Sequence, residues 1–257
     1  MTQPLHTLPE EPSIYPYSAL SSIPARSLLI FAPHPDDEVF GCGGITALAL
    51  AAGTPVEVIV VTDGGRGGDA LVREQESRAA AMALAATHAG HSLTFWRERD
   101  RELLPTDTLV AQMRRRMLES SAEWILAPSP YELHPDHRAL CVAACRAFQQ
   151  SFSAGHSARL AFYEVGQPLF PNLLVDVTPV LALKRAAMAC FTSQLAQQRY
   201  DEHVLALNRF RSYTLATSVS HVEALHLLRW EDLAQGLQGV IAGNSRSVIE
   251  RLGLEQP

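Results

Sequence analysis

Two short stretches, Pro33-His34-Pro35-Asp36-Asp37-Glu38 and His134-Pro135-Asp136-His137, offer two or three imidazoles and a pair of adjacent carboxylates. That inventory suits a catalytic divalent-metal centre with a spare acid to act as base. His34 and Asp37 are three apart, so one helical turn would put them on the same side while Asp36 points elsewhere. The spacing predicts two ligands and one group with a second role. Asp36, held beside the metal, can accept a proton from an activated water. In the second stretch Pro135 is well placed at the start of a helix. One of its two imidazoles would complete the ligand set and the other would polarise a substrate oxygen.

The elements that must position these residues follow from the hydrophobic pattern. Ser27 to Ala32 is a continuous apolar run, as in a strand buried on both faces. A small apolar helix is predicted over Val39–Ala52, closed by Gly53, and Val56–Thr62 reads as the next strand. The pattern repeats with a helix from Leu71 to Ala86, a strand near Leu93–Trp96, a helix over Asp107–Ser120 and a strand at Trp124–Ala127. A helix over Pro135–Gln150 and strands around Leu160–Val165 and Asn172–Val177 complete the series. Such alternation predicts a mainly parallel, twisted α/β sheet with helices on both faces. Ligand sites in these sheets lie beyond the carboxyl ends of the strands, where both motifs fall. We read residues 1–257 as a single domain, with a lead-in over 1–26, an α/β core over 27–178 and a helical cap without strands over 179–257.

Composition narrows the function classes. A chain of 257 residues with 47% hydrophobic content can bury one large core. The net charge of −6 argues against an electrostatic grip on nucleic acid, and the one basic run, Arg114 to Arg116, reads as a solvated helix face. The first 23 residues have no basic region followed by an apolar stretch, and no apolar run is long enough to span a bilayer. We therefore expect a cytoplasmic protein with no membrane span. Cys42, Cys141, Cys145 and Cys190 form no Cys-x-x-Cys pair and read as small hydrophobes. The glycines at 41, 43 and 44 lack both the Gly-x-Gly-x-x-Gly spacing and a Walker lysine, which favours close helix packing over a phosphate cradle.

Taken together, the two motifs resemble those of the PIG-L/LmbE-like family of metal-dependent N-acetylglucosamine deacetylases. The similarity extends to Gly41-Cys42-Gly43-Gly44, Thr62-Asp63-Gly64, Arg73-x-x-Glu76, Asp176-Val177-Thr178, Lys184 and Ser193-Gln194. The resemblance implies a Rossmann-like fold, with His34, Asp37 and His137 as zinc ligands and Asp36 as general base. It also implies that His134 stabilises the oxyanion or assists proton transfer and that Asp136 orients a neighbouring imidazole. Arg73 and Asp100 resemble substrate-contacting positions. Tyr131 lies where some members place a mobile acid, although Glu132-Leu133 departs from the Gly-rich spacing found there.

The expected reaction is hydrolysis of an N-acetyl group from an amino-sugar conjugate, with a small N-acetylated sugar as partner and zinc or Fe2+ as metal. Two other classes compete. A non-haem iron oxygenase also uses two histidines and a carboxylate, but it has no need of a base such as Asp36 beside the metal. A non-catalytic carbohydrate-binding protein would be expected to have lost a ligand or Asp36. The sugar conjugate, the native metal and any homo-oligomer are left open by the sequence.

Overall fold

The computed structural model of the chain describes residue 12 and residues 15–85, 88–153 and 155–235. Half of the lead-in, residues 1–11, 13 and 14, and the last part of the expected cap, residues 236–257, lie outside the described residues. The alternating units form strands β1 (Leu28–Ala32), β2 (Val56–Thr62), β3 (His91–Glu98), β4 (Trp124–Pro128) and β5 (Arg159–Tyr163). Between them run helices α1 (Asp37–Ala51), α2 (Ala70–Ala85), α3 (Asp107–Ser120) and α4 (Pro135–Ser151). Strand β6 (Leu173–Asp176) follows, then α5 (Leu181–Met188), α6 (Thr192–Leu195), α7 (Tyr200–Phe210), β7 (Val222–Leu227) and α8 (Trp230–Ala234).

One seven-stranded open sheet results, in the order β3-β2-β1-β4-β5-β7-β6. Strands β1 to β5 are parallel, and β7 is antiparallel to both β5 and β6. All five residues of β1 are buried, because each face of the strand has its own core. Leu28, Ile30 and Ala32 join the cluster under α1 and α2, whereas Leu29 and Phe31 join the cluster under α3 and α4. This two-sided burial is why the strand reads as an unbroken apolar run rather than an alternating one. Among the described residues no helix is long and apolar enough to cross a membrane.

Strand order reverses between β1 and β4, which are hydrogen-bonded neighbours although α1, β2, α2, β3 and α3 lie between them in sequence. The loops that leave their carboxyl ends therefore rise side by side, and these loops carry His34 and His134. Helix α1 seats closely because its glycines admit no side chain. A Cβ on Gly41 would stand 2.4 Å from the Tyr163 ring, and one on Gly44 would stand 2.4 Å from Val177 Cγ1.

The expectation of a wholly helical segment after Pro179 is corrected by β7, which inserts between β5 and β6. Its core-facing side carries Glu223, which is 1% exposed, and this charge hides the strand from a hydrophobic reading. Glu223 accepts hydrogen bonds from the Gly44 and Ile45 backbone N–H groups at 2.7 and 2.8 Å. Lys184, fully buried, donates to Glu223 at 2.7 Å, to Asn208 at 2.8 Å and to the Phe40 carbonyl at 3.0 Å. Helix α1 is thus tied to α5, α7 and β7 through one satisfied buried ion pair.

Removing one member of such a pair leaves an uncompensated buried charge, at a cost of about 3–5 kcal/mol. Urea unfolding of Lys184→Met should show a loss of that size, and Lys184→Met/Glu223→Gln should recover part of it. Equal stability of the single and double variants would contradict this account.

Candidate metal centre

The first motif leaves β1 in a tight turn and enters α1 at Asp37. A helical turn was expected to bring His34 and Asp37 together. They meet instead through the turn before the helix, where Pro35 follows His34. The His34 backbone N–H donates to Asp37 Oδ2 at 3.0 Å, and the Asp37 N–H donates to the His34 carbonyl at 3.3 Å. Asp36 between them has φ 136°, a backbone conformation that L side chains rarely adopt. Its N–H donates to Glu38 Oε2 at 2.9 Å, and its carboxylate accepts from Arg73 at 3.0 Å, contacts that hold the strained residue in place. In the second motif His134 is the N-cap of α4, Pro135 opens the helix, and His137 lies within its first turn.

These turns bring donor atoms together. Asp37 Oδ2 lies 3.0 Å from His34 Nδ1 and 3.0 Å from His137 Nε2. Donors bound at about 2.0–2.2 Å to a tetrahedral ion stand roughly 3.3–3.6 Å apart, so a small outward relaxation accommodates one. The opposite nitrogens face other carboxylates. His34 Nε2 is 3.2 Å from Asp136 Oδ2 and 3.3 Å from Asp100 Oδ1, and His137 Nδ1 is 3.6 Å from Glu132 Oε2. Asp136 and Asp100 favour a hydrogen on His34 Nε2, so that an ion at the site would take the Nδ1 lone pair, whereas Glu132 lies beyond hydrogen-bond reach of His137 and sets its charge beside that ring. Asp100 Oδ1 and His137 Nδ1 are themselves buried without a hydrogen-bond partner among the described residues. The donor set fits a divalent ion.

His134 differs from the other two. Its Nδ1 accepts from the Asp136 backbone N–H at 3.2 Å, so its neutral ring carries the hydrogen on Nε2 and can donate. The three imidazoles nonetheless lie close enough for one nitrogen from each to fall within 4.8 Å of the others, and a second overlapping group joins His34 and His134 with Asp100 and Asp136.

Charge at the centre is finely opposed. Burial works against a cationic His34, but Asp100, Asp136 and Asp37 outweigh it and raise the ring's pKa well above the usual value. Burial also disfavours the charge on Asp37, yet His137 and His34 hold its carboxyl well below the usual range. Asp36 is pushed the other way. Burial and the neighbouring Asp37 charge raise it well above a normal carboxylate, against the pull of Arg73 and His34. Two adjacent aspartates therefore have opposite proton affinities. Burial, followed by the charges of His34 and His137, lowers the pKa of His134.

A cleft of about 900 Å3 opens over this floor, lined by His34, Asp36, Asp37, Arg73, Asp100, His134 and His137 among others. Arg73 is buried and its guanidinium donates to the Gly64 and Pro35 carbonyls, both at 2.8 Å, as well as to Asp36. Asp136 is fully buried behind His34. Tyr131 does not line the cleft, and its ring packs edge-on to Phe170. Glu76, the apparent partner of Arg73 in sequence, instead accepts from Thr192 Oγ1 and from the Ser193 N–H and hydroxyl, which anchors α6. Sequence reasoning missed Glu132 as the companion of His137. It also missed the wall of Tyr200, His203, Val204 and Leu207 from α7, whose approach to the cleft is set by tertiary packing.

Residues 29–148 match the family described as PIG-L: GlcNAc-PI de-N-acetylase. Diacetylchitobiose deacetylase of Thermococcus kodakarensis is 28% identical over 204 residues, which cover 68% of this chain and 73% of the relative. Among solved structures, N,N'-diacetylchitobiose deacetylase from Pyrococcus horikoshii has a TM-score of 0.69 at 23% identity, over 80% of this chain and 84% of that one. The 4-carboxy-2-hydroxymuconate hydratase from Pseudomonas putida KT2440 has a TM-score of 0.67 at 22% identity, over 79% and 96%. At such identities the solved structures establish a shared fold, and their two different reactions show that the fold does not dictate the chemistry. Residues 29–148, which contain His34, Asp36, Asp37, Asp100, His134, Asp136 and His137, form a PIG-L family domain.

Proposed function

We propose that the protein is a metal-dependent deacetylase that hydrolyses the N-acetyl group of an amino-sugar conjugate. The observation that carries this reading is the convergence of His34 Nδ1 and His137 Nε2 on Asp37 Oδ2, with the proton-avid Asp36 alongside. The deacetylase relatives supply the direction of the chemistry. His34, Asp37 and His137 would hold the ion, with zinc or Fe2+ both suited to the set. When bound, the metal supplies Lewis acidity and lowers the pKa of a water.

The chain's own residues divide the remaining work. Asp36 accepts the proton as water attacks the amide carbon, and the burial and like charge that raise its pKa favour that transfer. Arg73 fixes the Asp36 carboxylate. His134 lines the cleft, and its Nε2–H would donate to the amide oxygen as negative charge builds there, while its Nδ1 stays anchored on the α4 backbone. Asp136 and Asp100 orient His34, and Glu132 places a carboxylate 3.6 Å from His137 Nδ1. The proton held by Asp36 passes to the amide nitrogen as the C–N bond breaks, which releases acetate and a free amine. The base at Asp36 distinguishes this arrangement from an oxygenase site built on the same ligand types.

Acetate release from a panel of N-acetylated sugars by the zinc-loaded protein tests the activity directly; the absence of release across the panel would overturn it. Metal analysis should show His137→Ala and Asp37→Ala to be largely depleted of the ion, whereas normal content in both would break the ligand assignment.

Asp36→Asn should retain metal and lose about 10²–10⁴ in turnover, the usual worth of a positioned acid–base group. Loss of the ion in that variant would move Asp36 into the ligand set. His134→Ala should keep near-normal metal content and lose on the order of 10²–10³ in turnover. Wild-type turnover across the pH range would make His134 a capping residue alone.

A further inference from the structure

The cleft is acidic at its floor and basic at its rim. Its lining carboxylates, Asp36, Asp37, Asp100 and Glu132, all belong to the cluster already described. The rest of the lining holds the buried Arg73, the exposed Arg66 and Arg101, and His203, with no further carboxylate. In a chain of net charge −6 a cation-only rim runs against the overall composition.

The two arginines are placed by the floor itself. The Arg66 backbone N–H donates to Asp100 Oδ2 at 3.0 Å, and the Arg101 N–H donates to Asp136 Oδ2 at 2.7 Å. These are the two carboxylates that approach His34 Nε2. Arg101 is held at φ 65°, where glycine is the unstrained choice, yet the position carries a long cationic side chain. Among the described residues its guanidinium has no hydrogen-bond or ion-pair partner, and Arg66 has an exposed pair with Glu102 at 3.4 Å, a weak rival to a ligand. Phe40, Val204 and Leu207 add apolar side chains to the same cleft.

We infer that Arg66 and Arg101 form an anion-binding subsite at the cleft rim, which selects N-acetylated sugars bearing a phosphate or carboxylate. This rests on the deacetylase reading and adds the charge of the substrate to it. Guanidinium groups bind both anions through forked, charge-assisted hydrogen bonds, so the two sources share one recognition chemistry.

The test compares kcat/KM for methyl N-acetylglucosaminide, N-acetylglucosamine 1-phosphate and N-acetylmuramic acid in the zinc-loaded enzyme. The wild type should favour at least one anionic substrate over the neutral one by about tenfold or more, and the better of the two identifies the source. Arg66→Ala/Arg101→Ala should bring that ratio close to one through KM, Arg101→Lys should restore part of it, and added salt should lower it in the wild type. Alanine keeps both backbone contacts, and at position 101 it is no more strained than arginine. A wild-type ratio near one, or a ratio unchanged in the double variant, overturns the subsite while leaving deacetylation intact. If no substrate releases acetate, the activity reading fails and calorimetric titration with N-acetylglucosamine 1-phosphate decides the subsite separately. An affinity about tenfold weaker in the double variant supports it, and equal affinity overturns it.

Discussion

The parallel pairing of β1 with β4 is the constraint on which the site depends. Leu28, Leu29 and Ile30 align with Trp124, Ile125 and Leu126, and this register fixes where the chain leaves each strand. Because the sheet winds outward in opposite directions from this pair, no crossover helix covers their carboxyl ends. Only there can two loops so distant in sequence present side chains to a common point. The burial of both strands on both faces makes that point rigid, which a ligand set must be if its geometry is to precede the metal.

Rigidity at the floor carries an electrostatic cost. Asp37, Asp100, Asp136 and Glu132 are all buried in the neighbourhood of two histidines. Ionised carboxylates in such surroundings persist only when cations or hydrogen-bond donors compensate them. Backbone N–H groups provide much of that compensation. Asp136 accepts from the Arg101 and Leu103 amides, and Glu132 accepts from the Val165, Gly166 and Gln167 amides. Among the described residues the Asp36 carboxylate accepts from Arg73 alone, and burial with the Asp37 charge raises its proton affinity well above the usual range; burial raises Glu132 as well, against the pull of His137 and its amide donors. The opposite proton affinities of Asp36 and Asp37 thus arise from local partners, because both residues are aspartates in one turn.

The sequence made the parallel core readable because its strands are buried on both faces and its helices end at recognisable signals. The expected spans for Val56–Thr62 and Asp107–Ser120 coincide with β2 and α3. Both motifs were legible for the same reason, since proline and histidine at fixed spacing survive any uncertainty in element boundaries. Strand β7 was not, because Glu223 occupies its core-facing side and its partner Lys184 lies on α5, far away in sequence. Glu132 looked like an interruption of a loop pattern, and only its distance to His137 reveals its place. Residues that act through tertiary contacts leave no period for a sequence reading to detect. The meeting of His34 and Asp37 was expected for the wrong local reason, since a turn ahead of the helix, rather than the helix, brings them together.

Asp100 and Asp136 join the chemistry of the floor to the recognition surface above it. Each approaches His34 Nε2 and also holds the backbone of one rim arginine. A change in either carboxylate therefore disturbs His34 and the rim together. The side chains at 66 and 101 are free of that coupling, because the shared contacts use their backbone N–H groups. Exchange of those two side chains can alter which charge the cleft accepts while the nitrogen that faces Asp37 stays in place. On the proposed reading such an arrangement would separate specificity from catalysis, although both would be built on the same pair of acids.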